Sequence, residues 1–134
     1  MKLVPIRVAS DSLAGSGDGW ASADIATVNR NVVRCRTMER IVAPWHVHAD
    51  SDELFYVLSG QFHLDTDEGT ATVDAGELLV VPAGTRHRGR AEGRTTMLVV
   101  FHGPDPYPAA HCRKGTMKPR RVVTTSCVAS LYMW

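Results

Sequence analysis

Apolar positions along this chain come in short bursts and show no helical rhythm. NVVRCRTM (31–38) alternates apolar and polar side chains and ends before Ala43-Pro44. ELFYVL (53–58) is an almost unbroken apolar run stopped by Ser59-Gly60. QFHLDT (61–66) alternates up to the turn Asp67-Glu68-Gly69, and TATVDA (70–75) follows as the second arm of a hairpin. ELLVVP (77–82) is closed by Pro-Ala-Gly, and TTMLVVF (95–101) by GPDPYP, whose prolines cannot continue a ladder. Short strands with turn signals about every 8–12 residues predict an all-β sandwich or barrel. Its core runs from about residue 31 to 101, within a single domain over 1–134. SLAGSGDGWAS (12–22) reads as a Gly/Ser-rich loop, and the β-prone terminal run VVTTSCVASLYMW is expected to pack on the barrel or on a second subunit.

Composition narrows the class. With 134 residues, 44% hydrophobic and 22% charged, the chain suits one ordinary globular domain. A net charge of +1 argues against nucleic acid as a partner, and the basic run RKGTMKPRR (113–121) reads as a solvated tail. The first residues lack a continuous apolar signal segment, and no run approaches a membrane span. Three widely spaced cysteines, Cys35, Cys112 and Cys127, are expected as free thiols in a reducing cytoplasm.

The chemistry concentrates in WHVHADSDELFYVLSG (45–60). On a strand His46 and His48 would share a face, a ready bidentate metal site. Glu53 opens the next strand, on the face of Phe55 and Val57. If those two face the core, so does Glu53, and a carboxylate in an apolar interior is costly unless paired or bound to a metal. The alternative places the histidines at the surface, with Glu53 at the edge of a loop. GELLVVPAGTRH (76–87) adds a third histidine, His87, directed by the turn at Pro82 and Gly84.

These two stretches, H-x-H-x4-E-x6-G and G-x5-P-x-G-x2-H, resemble the paired signature motifs of the cupins, small double-stranded β-helix (jelly-roll) barrels. The resemblance covers about the central half of the chain and looks nearest to small single-domain cupins described as mannose-6-phosphate-isomerase-like. It implies His46, His48, Glu53 and His87 as ligands of one divalent metal ion per chain, with Fe, Zn, Ni, Mn and Cu all compatible. Two positions depart from the pattern: Arg40 stands where the first motif usually opens with Gly, and Ala91 where the second usually ends with Asn.

Four ligands leave positions open on a five- or six-coordinate ion. That implies a metalloenzyme acting on a small organic molecule, either an oxygenase or a redox-neutral isomerase, lyase or cyclase. The alternative is a non-catalytic metal-dependent binder or sensor. Phe55, Gln61 and His63 are candidate pocket-lining residues. Arg34 and Arg36 share a strand face: turned inward they would recognise an anionic substrate, but the outward, solvated placement is the expectation. A homodimer is expected too, because small cupins commonly pair and the apolar segments SLYMW and LVPIRV need cover.

Overall fold

The computed structural model describes residues 1–8 and 19–103. Nine strands make up the regular structure of the described residues: β1 Gly19–Val28, β2 Asn31–Glu39, β3 Ile41–Val42, β4 Glu53–Ser59, β5 Gln61–Thr66, β6 Gly69–Asp74, β7 Leu78–Val81, β8 His87–Ala91 and β9 Thr95–His102. They form two sheets, one in the order β1-β2-β9-β4-β7 and the other β3-β8-β5-β6. Every pairing is antiparallel. The fold is all-β, a jelly-roll barrel. No helix among the described residues is long and apolar enough to cross a membrane.

Period-two alternation decides which side chains enter the barrel. Phe55 and Val57 of β4, Phe62 and Leu64 of β5, and Met97 and Val99 of β9 meet between the sheets with Trp20, Met38, Val73 and Val81. Burying a side chain of this size stabilises the fold by about 1.5–3 kcal/mol. Two glycines are required by this packing. Gly60 turns the chain from β4 into β5 at φ 81°, and a Cβ there would collide with the Arg94 carbonyl. A Cβ on Gly89 would lie 2.7 Å from the Phe62 ring, so this position of β8 has no room for a side chain. Arg40, standing where the first motif usually has glycine, keeps a left-handed backbone at φ 43°. The departure therefore changes the residue and retains the turn.

The N-terminal boundary of the barrel differs from the sequence expectation. Gly19–Ser22 do not belong to a loop but open β1, which pairs along the length of β2 from Gly19↔Glu39 to Val28↔Asn31. Gly and Ser content suggested a loop, yet Trp20, Ser22 and Asp24 alternate with Ala21 and Ala23 as a strand requires. Residues 1–8, including LVPIRV, form no strand and expose Leu3, Val4, Ile6 and Val8. Cys35 is a buried free thiol whose pKa burial pushes up, as suits an inert packing residue. Cys112, Cys127, the basic run and the terminal apolar run lie outside the described residues.

On the outer face of the smaller sheet, Asp65 is 7% exposed and gathers three donors. Thr70 Oγ1 donates at 2.6 Å, Arg88 Nε at 2.9 Å and Arg90 Nε at 3.2 Å. Burial alone would raise its pKa, but these hydrogen bonds outweigh that and hold the carboxyl below its ordinary value. The stability they contribute is fully present above the unfolded carboxyl pKa of about 3.9 and is lost as pH falls through the lower folded value. Asp65→Asn should cost about 1–3 kcal/mol at pH 7 in urea unfolding, and the cost should shrink in acid. Equal stability of variant and parent at neutral pH would show that the network contributes nothing.

Candidate metal centre

Glu53 is the first residue of β4, with cross-strand partners Phe101 on β9 and Val81 on β7. That register turns its side chain between the sheets, 2% exposed. His46 and His48 come from the segment joining β3 to β4, which is not a ladder strand. His46 instead makes an isolated antiparallel bridge with His87, the first residue of β8. The amide of each donates to the carbonyl of the other, both at 2.9 Å. This reciprocal pair holds the two imidazoles 4.3 Å apart, centroid to centroid.

The turn of the second motif is fastened to the first. Gly84, at φ 82°, donates its amide to the His48 carbonyl at 2.8 Å, and Thr85 closes the turn onto Pro82 at 3.1 Å. The Ala83 amide donates to Asp52 Oδ1 at 2.8 Å. Two segments far apart in the chain thus present their histidines to one point. One donor atom each from His46, His48, Glu53 and His87 lies within 4.8 Å of the others, so this group could hold a metal ion.

Protonation chemistry favours a cation there. His46 Nδ1 lies 2.9 Å from the Pro44 carbonyl and His87 Nδ1 2.7 Å from that of Thr85. A carbonyl only accepts, so each Nδ1 carries a proton and donates it. A neutral ring then offers a bare Nε2 lone pair. Burial first, and then the neighbouring His87, lowers the His46 pKa to about 4, so its ring is neutral at pH 7. Burial alone would raise the Glu53 pKa, but the imidazoles of His48 and His87, together with the charge of Arg36, hold it well below the carboxylate range.

An ionised carboxylate therefore faces ring nitrogens at close range: His87 Nε2 at 3.2 Å and His48 Nε2 at 3.1 Å from the same Oε2. His48 Nε2 lies off the line of a hydrogen bond and is a buried nitrogen without a hydrogen-bond partner. Three imidazoles and one carboxylate form a donor set suited to a divalent transition ion. Coordination would take over from these imidazoles the balancing of the Glu53 charge and give His48 Nε2 a partner. The residues fit the group.

The remaining candidates separate by face. Phe55, 3% exposed, stands two residues from Glu53 on the inner face, its ring centroid 4.9 Å from that of Phe62. Gln61 and His63 alternate with the core residues Phe62 and Leu64 and so turn away from the interior. Gln61 Nε2 donates to Asp74 at 2.7 Å, and His63 Nδ1 lies 3.0 Å from the Thr72 hydroxyl. The outward placement expected for Arg34 and Arg36 is overturned. They are 1% and 4% exposed and share the inner face with Met38. Trp20, Ser22 and Asp24 of β1 cover and partner them, and sequence reasoning missed these residues with their strand. The alternation Trp20/Ser22/Asp24 against Ala21/Ala23 was the available signal.

Comparison with known proteins places the chain. The cupin domain family model matches residues 38–102. An uncharacterized protein of Bacillus subtilis, YdbB, is 42% identical over 83 residues, covering 61% of this chain and 73% of that protein. The chain belongs to the cupin superfamily. The polyketide synthase CurC of Streptomyces cyaneus is 37% identical over 57 residues, 42% of this chain and 37% of that protein. Among solved structures, a cupin-2 domain protein of Shewanella frigidimarina superposes with a TM-score of 0.59 at 28% identity, covering 63% of this chain and 81% of that one.

Metal binding to this cluster should stabilise the folded chain without creating it, since the apolar core is complete beside it. A ligand at 100 times its Kd contributes about 2.7 kcal/mol, so chelation should lower the melting temperature by roughly 10 °C. An unchanged melting curve after chelation in matched buffer would remove the metal from this site.

Proposed function

We propose that this protein is a metal-dependent cupin enzyme that acts on a small organic molecule at a centre held by His46, His48, Glu53 and His87. The observation that carries this reading is the convergence of three imidazoles on a buried, ionised carboxylate, with two of the rings oriented by backbone carbonyls. The bound ion would supply Lewis acidity and positions open to water or substrate. The chain's own residues do the rest. His46 and His87 are held as acceptors by the Pro44 and Thr85 carbonyls, and Glu53 contributes the negative charge. Phe55 and the apolar side chains behind it exclude water from one side of the centre. The likeness to CurC, named as a polyketide synthase, makes polyketide-type carbonyl compounds the first substrates to screen.

Metal identity separates the two chemistries compatible with this donor set. Iron with oxygen consumption marks an oxygenase, whereas zinc or nickel without it marks a redox-neutral isomerase, lyase or cyclase. The decisive variant is Glu53→Gln. It preserves size and removes the charge that balances the cation, and a neutral amide is cheaper to bury than an unpaired carboxylate, so the fold survives. Metal content by elemental analysis should fall to a small fraction of the parent's, and turnover by at least about 100-fold. His63→Ala should retain full metal. Metal retained in Glu53→Gln and lost in His63→Ala would defeat this assignment.

The same reading includes a homodimer. Leu3, Val4, Ile6 and Val8 are exposed ahead of the barrel, and Leu58, Leu78 and Val80 are exposed on β4 and the edge strand β7. A second copy would cover both sets with two-fold symmetry. Sedimentation should give twice the chain mass at micromolar concentration, and a concentration-independent monomer would count against it.

A further inference from the structure

Three buried side-chain nitrogens or oxygens of the described residues have no hydrogen-bond partner: His48 Nε2, Arg34 Nη2 and Arg36 Nη2. The first belongs to the metal-competent cluster. The other two are guanidinium nitrogens on side chains 1% and 4% exposed. A guanidinium is rarely buried so completely, and a buried donor left without a partner is costly. An apolar side chain in either place would be cheaper. We propose that Arg34 and Arg36 form an oxyanion subsite next to the metal centre, and that the small molecule bound there carries a carboxylate or phosphoryl group. This assignment rests on the reading of His46, His48, Glu53 and His87 as that centre.

Position supports it. Arg34 and Arg36 are alternate residues of β2, which places them on the same face about 7 Å apart. Arg34 Cζ lies 4.5 Å from the centroid of Phe101, and Phe101 is the cross-strand partner of Glu53. The guanidinium thus rests on the residue paired with the carboxylate of the metal cluster. Both arginines are held by their inner atoms and leave an outer nitrogen free. Arg34 Nε donates to Asp24 at 2.7 Å, and Arg36 Nε donates to Ser22 Oγ at 3.2 Å while its Cζ lies 5.0 Å from the Trp20 ring. Anchoring Nε fixes the plane of each guanidinium and leaves Nη2 as a charged donor without a partner, to which an oxyanion would be the strongest acceptor.

Charge points the same way. Asp24 answers Arg34, Ser22 is neutral, and a divalent ion exceeds the single charge of Glu53. Water would satisfy the nitrogens but leave that positive surplus in the interior. An anionic ligand satisfies both.

The test uses full-length, metal-loaded protein and calorimetric titration with malonate, inorganic phosphate and uncharged malonamide. Loaded parent should bind malonate or phosphate and ignore malonamide, the tighter of the two anions identifying carboxylate or phosphoryl recognition. Arg34→Met and Arg36→Met should each weaken that binding at least tenfold with metal content unchanged. Both variants should fold, since methionine fills similar space and removes an orphaned donor. Arg36→Lys, which keeps charge and loses the fork, should fall between parent and Arg36→Met. Loaded parent that binds neither anion, or methionine variants that bind as tightly as parent, would overturn the subsite and leave the metal reading intact. Parent that purifies and reconstitutes without metal, yet binds malonate through the arginines, would overturn the metal reading and support the subsite.

Discussion

A carboxylate inside a barrel governs this structure. Glu53 enters the space between two apolar sheets because it shares a face with Phe55 and Val57, and strand geometry permits no other direction once those two are buried. Leaving such a group ionised and uncompensated is costly. The compensation comes from His46, His48 and His87, none of which shares a strand with Glu53. To bring them in, the chain connects β3 to β4 by a segment that bridges to β8, and it fastens the Pro82–Gly84 turn to the His48 carbonyl. The irregular parts of the barrel are where the electrostatics of one side chain are settled.

That dependence explains what could be read from sequence. The ladder strands were legible because burial on one face leaves a period-two trace: β5 coincides with QFHLDT, and β4 begins at Glu53 as its apolar run does. The metal-competent group was legible because its residues match the paired cupin motifs, although His46 and His48 lie on a connecting segment and not on the strand their spacing suggests. Each reading used local rules, and each concerned residues whose partners are apolar or belong to the motifs themselves.

The misreadings share a different cause. A charged side chain is ordinarily exposed, which points Arg34 and Arg36 to solvent. Gly and Ser ordinarily punctuate, which points Gly19–Ser22 to a loop. Both inferences treat a residue without its cross-strand partner. Ser22 pairs with Arg36 and Asp24 with Arg34 in the β1–β2 ladder, so buried Ser22 and partly exposed Asp24 make the two arginines tolerable inside. Neither strand alone carries that information. On β2 the opposite face is covered as well, with Cys35 and Thr37 buried. The apolar-in, polar-out contrast that reveals orientation is therefore absent from this strand.

β1 is accordingly more than an edge added to a finished barrel. The cupin domain match begins at residue 38, so β1 and nearly all of β2 precede it. The metal-competent residues all lie within the matched region, whereas Arg34, Arg36 and the β1 side chains that hold them lie before it. The family-model match thus holds the metal-competent group, and the preceding hairpin carries two buried guanidinium groups. Without Trp20, Ser22 and Asp24, both arginines would lose the contacts that anchor Nε and aim Nη2. They would then be free to turn to water, as their chemistry otherwise prefers. The hairpin therefore sets the charge behind Glu53 as well: Arg36, which it holds, is one of the groups that keep that carboxylate ionised.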